Sequence, residues 1–174
     1  MAKLIRNGRV VFDDWQLVLP RCDEPVTAIA LPTGRVIVPL ATWRARRDEL
    51  SARPDIGVWL DGSDDPEVLT EDLDRLTLIA VRFSKFSDGR GYSLAHLLRS
   101  RFEFSGELRA IGEVLRDQFN YLKRCGFDTL QPQHGRYTDA QLEASLASLA
   151  DFTNPYQAGA ISANPLFRLV RRAA

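Results

Sequence analysis

Cysteine is almost missing from this chain: Cys22 and Cys125 are the only two in 174 residues. Two thiols build no disulfide framework and match no zinc-ligand spacing, so the expectation is reduced thiols in a cytoplasmic protein and no metal. Long apolar runs are lacking too. No stretch approaches the length of a membrane span, and the N-terminal MAKLIRNGRVVFDDW reaches Asp13 without the apolar core of a signal peptide, so no membrane partner is expected. Neither sign of charge is in excess, with 23 basic and 23 acidic residues, which gives no reason to expect a nucleic-acid partner. Lysine is confined to Lys3, Lys85 and Lys123, and histidine to His96 and His134. No phosphate-binding Walker loop and no nucleophile elbow occur, and the one glycine-rich turn fails as a dinucleotide fingerprint because Leu94 stands where a third glycine belongs.

What is present is an ordinary globular balance, 45% apolar and 26% charged, in a length that buries a core as one domain over residues 1–174. Charge is distributed unevenly. Eight acids and no base fall between Asp55 and Asp74, whereas six bases face three acids from Arg82 to Arg109. The last nine residues, LFRLVRRAA, add three arginines and end a C-terminal extension, 152–174, that reads as a surface segment or a basic docking tail.

KLIRNGRVVF predicts a β-hairpin, because Asn7-Gly8 tolerates the positive φ angles of a two-residue turn. WQLVLP reads as a further short strand, and the proline-bearing stretch to residue 34 as loop. Five apolar strands are then expected: VIVPL, GVWL, TLIAVRF, ELRAI and FDTL. Helices should separate them, over Thr42–Arg53, after Asp65-Pro66, after Ser93 as a cap, and through EVLRDQFNYLKRC up to Gly126. Thr138-x-x-Gln141 is a capping box opening another helix, with Leu142, Leu146 and Leu149 inward. Strand–helix alternation at this spacing predicts an α/β fold of about five parallel β-α units with the hairpin along an edge. It would be either an open three-layer sheet, the favoured form, or a partial barrel with its helices outside.

In both architectures the loops leaving the carboxyl ends of the strands share one rim, where α/β proteins bind ligands. That rim gathers Asp61, Lys85, Asp88, Arg90, His134 and Arg136, with Arg82 and Arg109 reaching it if strand register allows. The turn SDGRG leads into a helix whose first N–H groups suit an anion. Candidate binding residues are therefore Arg82, Lys85, Gly89, Arg90, Gly91 and Arg109, for a small anionic ligand. Candidate proton carriers are Asp88 and His134, since carboxylate and imidazole are the usual general acids and bases. The plainer alternative for SDGRGYS is a tight turn in which Asp88 bonds Arg90 or local amides.

FSKFSDGRGYSLAHLLR, GELRAIGEVLRDQ and LKRCGFD, in that order, resemble domain-of-unknown-function family 934, over roughly residues 56–149. The resemblance implies a bacterial protein encoded beside assimilatory sulfite reductase and often labelled an oxidoreductase. Sulfite reductase itself holds siroheme and an iron–sulfur cluster on cysteine ligands, which two cysteines cannot provide. The expectation is thus an enzyme or anion-binding protein of sulfur assimilation, without siroheme or cluster and with its cofactor unassigned. The competing expectations are a non-catalytic partner or assembly factor of sulfite reductase, and a scaffold with a vestigial site. A homodimer would follow if a strand edge is left open.

Overall fold

The computed structural model describes residues 3–21 and 24–150; Cys22 and the 152–174 extension, with its docking-tail reading, lie outside them. Lys3–Arg6 (β1) and Arg9–Phe12 (β2) form the expected hairpin, with Arg6 opposite Arg9 and Asn7 and Gly8 at φ +49° and +76°. Six parallel strands follow: Gln16–Leu17 (β3), Val36–Pro39 (β4), Ile56–Asp61 (β5), Leu78–Phe83 (β6), Glu107–Gly112 (β7) and Thr129–Pro132 (β8). They stand side by side in chain order, and β1 joins antiparallel to β8, giving one sheet of order β2-β1-β8-β7-β6-β5-β4-β3.

Two expectations change here. The sheet has eight strands, two of them antiparallel, rather than about five parallel β-α units. Its parallel strands advance one place at a time in one direction, and right-handed crossovers then carry every connection over the same face. The favoured sheet with helices on both sides is thereby excluded, and a curled half-barrel results. The N-terminal chain requires that curl. Eight strands laid flat at about 4.8 Å would hold their outer edges about 34 Å apart, while the four residue steps from Phe12 to Gln16 reach at most about 14 Å. Asp13, Asp14 and Trp15 therefore carry the chain from one edge of the curled sheet to the other, and residues 13–20 together form a strap.

The helices pack outside. Leu40–Ala45 (α1) and Arg47–Leu50 (α2) break at Arg46 instead of running through to Arg53. Asp65 does cap the next turn, accepting from the Glu67 amide at 2.9 Å, and Pro66–Asp72 is a 3-10 helix. Arg90–Ser100 (α3) begins three residues before the expected Ser93 cap. Phe119–Cys125 (α4) is shorter than expected and is preceded by a 3-10 turn, Arg116–Gln118; Gly126 ends it at φ +110°. Asp139–Ser145 (α5) opens on the expected capping box, Thr138 with Gln141. Between helices and sheet lies the main core, in which Val38, Val58, Val81 and Leu108 meet Trp43, Leu69, Leu98 and Phe119. The acidic 55–74 stretch is partly structural: buried Asp72 accepts from Trp43 Nε1 at 2.9 Å and holds Arg47 through both oxygens.

Candidate half-barrel mouth site

Side chains alternate across a strand, so register alone sorts the inward-facing residues into layers. The lowest holds Ile37, Gly57, Leu78 and Glu107; the middle holds Trp59, Ala80, Arg109 and Thr129; the uppermost, toward the carboxyl ends, holds Asp61, Arg82, Ile111 and Gln131. Trp15 and Leu17 close over the apolar part from the strap.

Arg109 thus stands one layer below Arg82, and the difference decides its role. It is 0% exposed. Its Nη1 lies 3.0 Å from both oxygens of Asp13 and 3.1 Å from Gln131 Oε1, and its Nε lies 3.0 Å from Glu107 Oε1. Expected at the rim, this guanidinium is instead the internal partner of the strap. A buried arginine needs acceptors around it: Asp13, Gln131 and Glu107 supply them to Nη1 and Nε, while Nη2 makes an ion-pair contact with Glu107 Oε1 at 2.9 Å without a hydrogen bond. Arg6 Nη2 sits 3.2 Å from the same Glu107 carboxylate.

Above this layer, a cleft of about 650 Å³ opens between the strap and the carboxyl ends of β6, β7 and β8. Leu17, Leu19, Pro20 and Ile111 give it an apolar lining. Arg82, Ser84, Gln131 and His134 bring the polar groups, together with the Glu113 carboxylate. The Arg82 side chain is 36% exposed; its guanidinium lies 5.2 Å from the Trp59 ring centre and 3.9 Å from Asp61 Oδ2. Among the described residues its guanidinium makes no hydrogen bond, and the ion pair with Asp61 is a long one. Gln131 is oriented from below: because its Oε1 accepts from Arg109, its amide nitrogen is the end left to donate. His134 is exposed, in the loop after β8.

The loop between β6 and α3 is a neighbouring site of different character. Asp88 Oδ1 accepts from the Arg90 amide at 3.1 Å and from Arg90 Nε at 3.0 Å, and Oδ2 accepts from Nη2 at 2.7 Å. The helix start where an external anion was expected therefore already holds the chain's own carboxylate. The Arg90 guanidinium and amide bring the Asp88 carboxyl down to about 2, which keeps it ionised and a poor acceptor of protons at neutral pH. Gly89 has open space around it, whereas Gly91 is buried against β6, where a Cβ would come within 2.7 Å of the Phe83 ring. Lys85 is exposed on the same loop. Glu113 pins that loop by accepting from the Phe86 amide at 3.0 Å, and Gln118 donates to the Phe86 carbonyl at 2.8 Å.

The topology thus gathers Arg82 and His134 on one cleft and sets Asp88 and Arg90 beside it as a pair, with Gly62 of the β5 loop against them. Gln131, Asp13 and Ser84 were not singled out from the sequence. The alternation of Glu107, Arg109 and Ile111 against Leu108 and Ala110 was the one signal that Arg109 faces away from the helices. The Cys125 thiol is buried and pushed up first by that burial, the opposite of an activated nucleophile. Among the described residues no three His, Cys, Asp or Glu side chains come together as a metal site, and no helix is long and apolar enough to cross a membrane.

Fold and site together define a strapped α/β half-barrel with a polar-and-apolar cleft at the carboxyl ends of its strands. Residues 57–167 match the family described as bacterial protein of unknown function (DUF934), and as this is more than half of the chain, the protein belongs to that family. No curated protein and no solved structure matches the chain. The matched stretch begins within β5, so it holds Arg82, Ser84, Gln131 and His134 but not the strap.

Proposed function

We propose that this protein binds a small oxyanion at the half-barrel mouth, as an oxidoreductase or accessory protein of assimilatory sulfite reduction in the cytoplasm. The sulfur setting and the oxidoreductase label come from the family resemblance. The anion site rests on one observation: Arg82 stands in the uppermost layer of the half-barrel, stacked on Trp59, at the edge of a 650 Å³ cleft. An arginine with uncommitted donors in a partly desolvated cleft is a strong point of attachment for an oxyanion. Gln131, with its amide nitrogen left to donate, and the Ser84 hydroxyl add neutral donors. His134 is the group placed to move a proton. Lys85 and the Gly89–Gly91 turn carry the adjoining loop, and Asp88 keeps Arg90 in place there. Arg109 acts through Gln131 and Asp13 and does not touch the ligand.

Calorimetric titration of the full chain with sulfite, sulfate and phosphate tests this. Binding of at least one of them, weakened about tenfold or more in Arg82→Ala, is expected from the loss of a charge-assisted pair. No heat with any of the three, or binding indifferent to Arg82, overturns it.

A second reading, a non-catalytic partner of sulfite reductase, is favoured by a different face. Val68 is exposed on the 3-10 helix between β5 and β6, flanked by Glu67 and Glu71 with side chains 63% and 83% exposed. Co-purification with the reductase that is lost on reversing both charges would support it.

A further inference from the structure

The cleft is far larger than the ions just named. A water molecule takes about 30 Å³ in the liquid, and an oxyanion of four or five heavy atoms takes roughly two to three times that. Against a cleft of about 650 Å³, a bare sulfite or phosphate would leave most of the space to solvent. The chemistry is also mixed. The donors Arg82, Ser84 and Gln131 come from β6, β8 and the turn after β6, Glu113 adds a carboxylate that is engaged by the Phe86 amide, and Leu17, Leu19 and Pro20 of the N-terminal segment supply apolar lining. Leu19, an apolar side chain lining the cleft, is 58% exposed. The strap is not free to fold away from the cleft. Gln16 and Val18 donate to the Arg35 and Ile37 carbonyls at 2.9 Å, Trp59 Nε1 donates to the Val18 carbonyl at 3.0 Å, and Asp13 is fixed on Arg109. Residues 13–18 are thereby fixed beside the cleft, with Leu19 and Pro20 following directly on the last of these bonds. Volumes of this size with a mostly apolar lining and a few placed polar groups are those of pockets for organic ligands.

We infer that the mouth cleft takes an organic oxyanion, with a sulfonate or phosphate head on Arg82, Ser84 and Gln131 and an apolar body against Leu17, Leu19 and Pro20. This rests on the anion reading of the same cleft and adds the size and polarity of the ligand. The division of labour follows the chain. Head-group recognition sits inside the family-matched stretch, and body recognition sits in the N-terminal strap outside it.

The test compares phenyl phosphate and benzenesulfonate with inorganic phosphate and sulfate, by calorimetric titration of the full chain. The aryl anions are expected to bind at least about tenfold tighter than their inorganic counterparts, from the apolar area the ring removes from water. Arg82→Ala should weaken both aryl anions, and Leu19→Ser, a change at an exposed position that leaves the core alone, should shrink the aryl-to-inorganic ratio several-fold. Which aryl anion binds tighter identifies the head group. Inorganic anions binding as tightly as aryl ones overturn the inference and leave the oxyanion site standing. A ratio untouched by Leu19→Ser likewise overturns it. Aryl binding indifferent to Arg82, or no binding by any probe, overturns both.

Discussion

Two arginines that read alike in the sequence meet opposite fates through their nearest carboxylates. Arg90 is exposed and folds back on Asp88 two residues away, so its pairing is local and survives any rearrangement of the sheet. The fold favours ionised Asp88: its carboxyl titrates at about 2 against 3.8 for a free side chain, so the stabilisation is fully present above about pH 4 and fades as the pH falls through 2. An NMR titration should place the wild-type midpoint near 2 and move it back toward 3.8 in Arg90→Ala; a wild-type midpoint at the ordinary carboxylate value would contradict the pairing. Arg109 is the reverse case, dry and joined to Asp13 across 96 residues of sequence. Removing one member of a buried pair leaves the other charge uncompensated, at a cost of about 3–5 kcal/mol. Urea unfolding of Asp13→Ala should show that loss, and Asp13→Leu with Arg109→Met should lose less than Asp13→Ala alone. Equal or greater loss in the double variant would mean that Arg109 is held chiefly by Glu107.

At the level of elements, β6 is the strand on which site and packing converge. Its Arg82 faces the cleft while its neighbour Phe83 is buried on the helix side, and two glycines touch that one residue. At Gly91 a methyl would lie 2.7 Å from the Phe83 ring, which can shift, so Gly91→Ala should cost about 1–3 kcal/mol of overpacking. At Gly112 the φ is +93° and the methyl would lie 2.5 Å from the Phe83 carbonyl oxygen, which belongs to the β6–β7 pairing and cannot yield. Gly112→Ala should therefore be the worse of the two, and it should also weaken anion binding because Gly112 lines the cleft. Thermal denaturation of the two variants side by side checks the order, and an equal or reversed ranking would show that the β7 carboxyl end is more pliable than its contacts imply. Helix starts were harder to place than strands from the sequence. Ser93 looked like a cap, but the helix begins three residues earlier at Arg90, whose amide Asp88 satisfies.

Over the whole molecule, the strap is what makes an incomplete barrel into a closed protein. A sheet curled through eight strands has two faces to cover, and among the described residues the helices cover the convex one. Trp59, Leu78, Ala80 and Ile111 on the concave side are buried because Trp15 and Leu17 lie over them. A chain starting at residue 20 would lose that cover and bare the edge of β8 as well. It should bind a hydrophobic dye strongly and self-associate in sedimentation, whereas the full chain should do neither; a compact, dye-free truncated monomer would show that the concave core closes without the strap.

FDTL, expected as a strand over 127–130, is found two residues later as Thr129–Pro132, but the sequence alone determined β4 to β7, the Asn7-Gly8 hairpin, the Asp65 and Thr138 caps and the gathering of loops on one rim. Each of these follows from a period, a turn residue or a chain direction legible within a dozen residues. It could not determine that the strands lie in simple chain order, because apolar runs carry no label for their neighbours. Nor could it separate Arg82 from Arg109, since both sit on strands flanked by apolar residues. That choice was made by register, which sets Arg82 level with Ile111 and Arg109 level with Ala80, one layer deeper. Asp13 then settled it from 96 residues away, because a charge in a dry interior stays only where an opposite charge meets it.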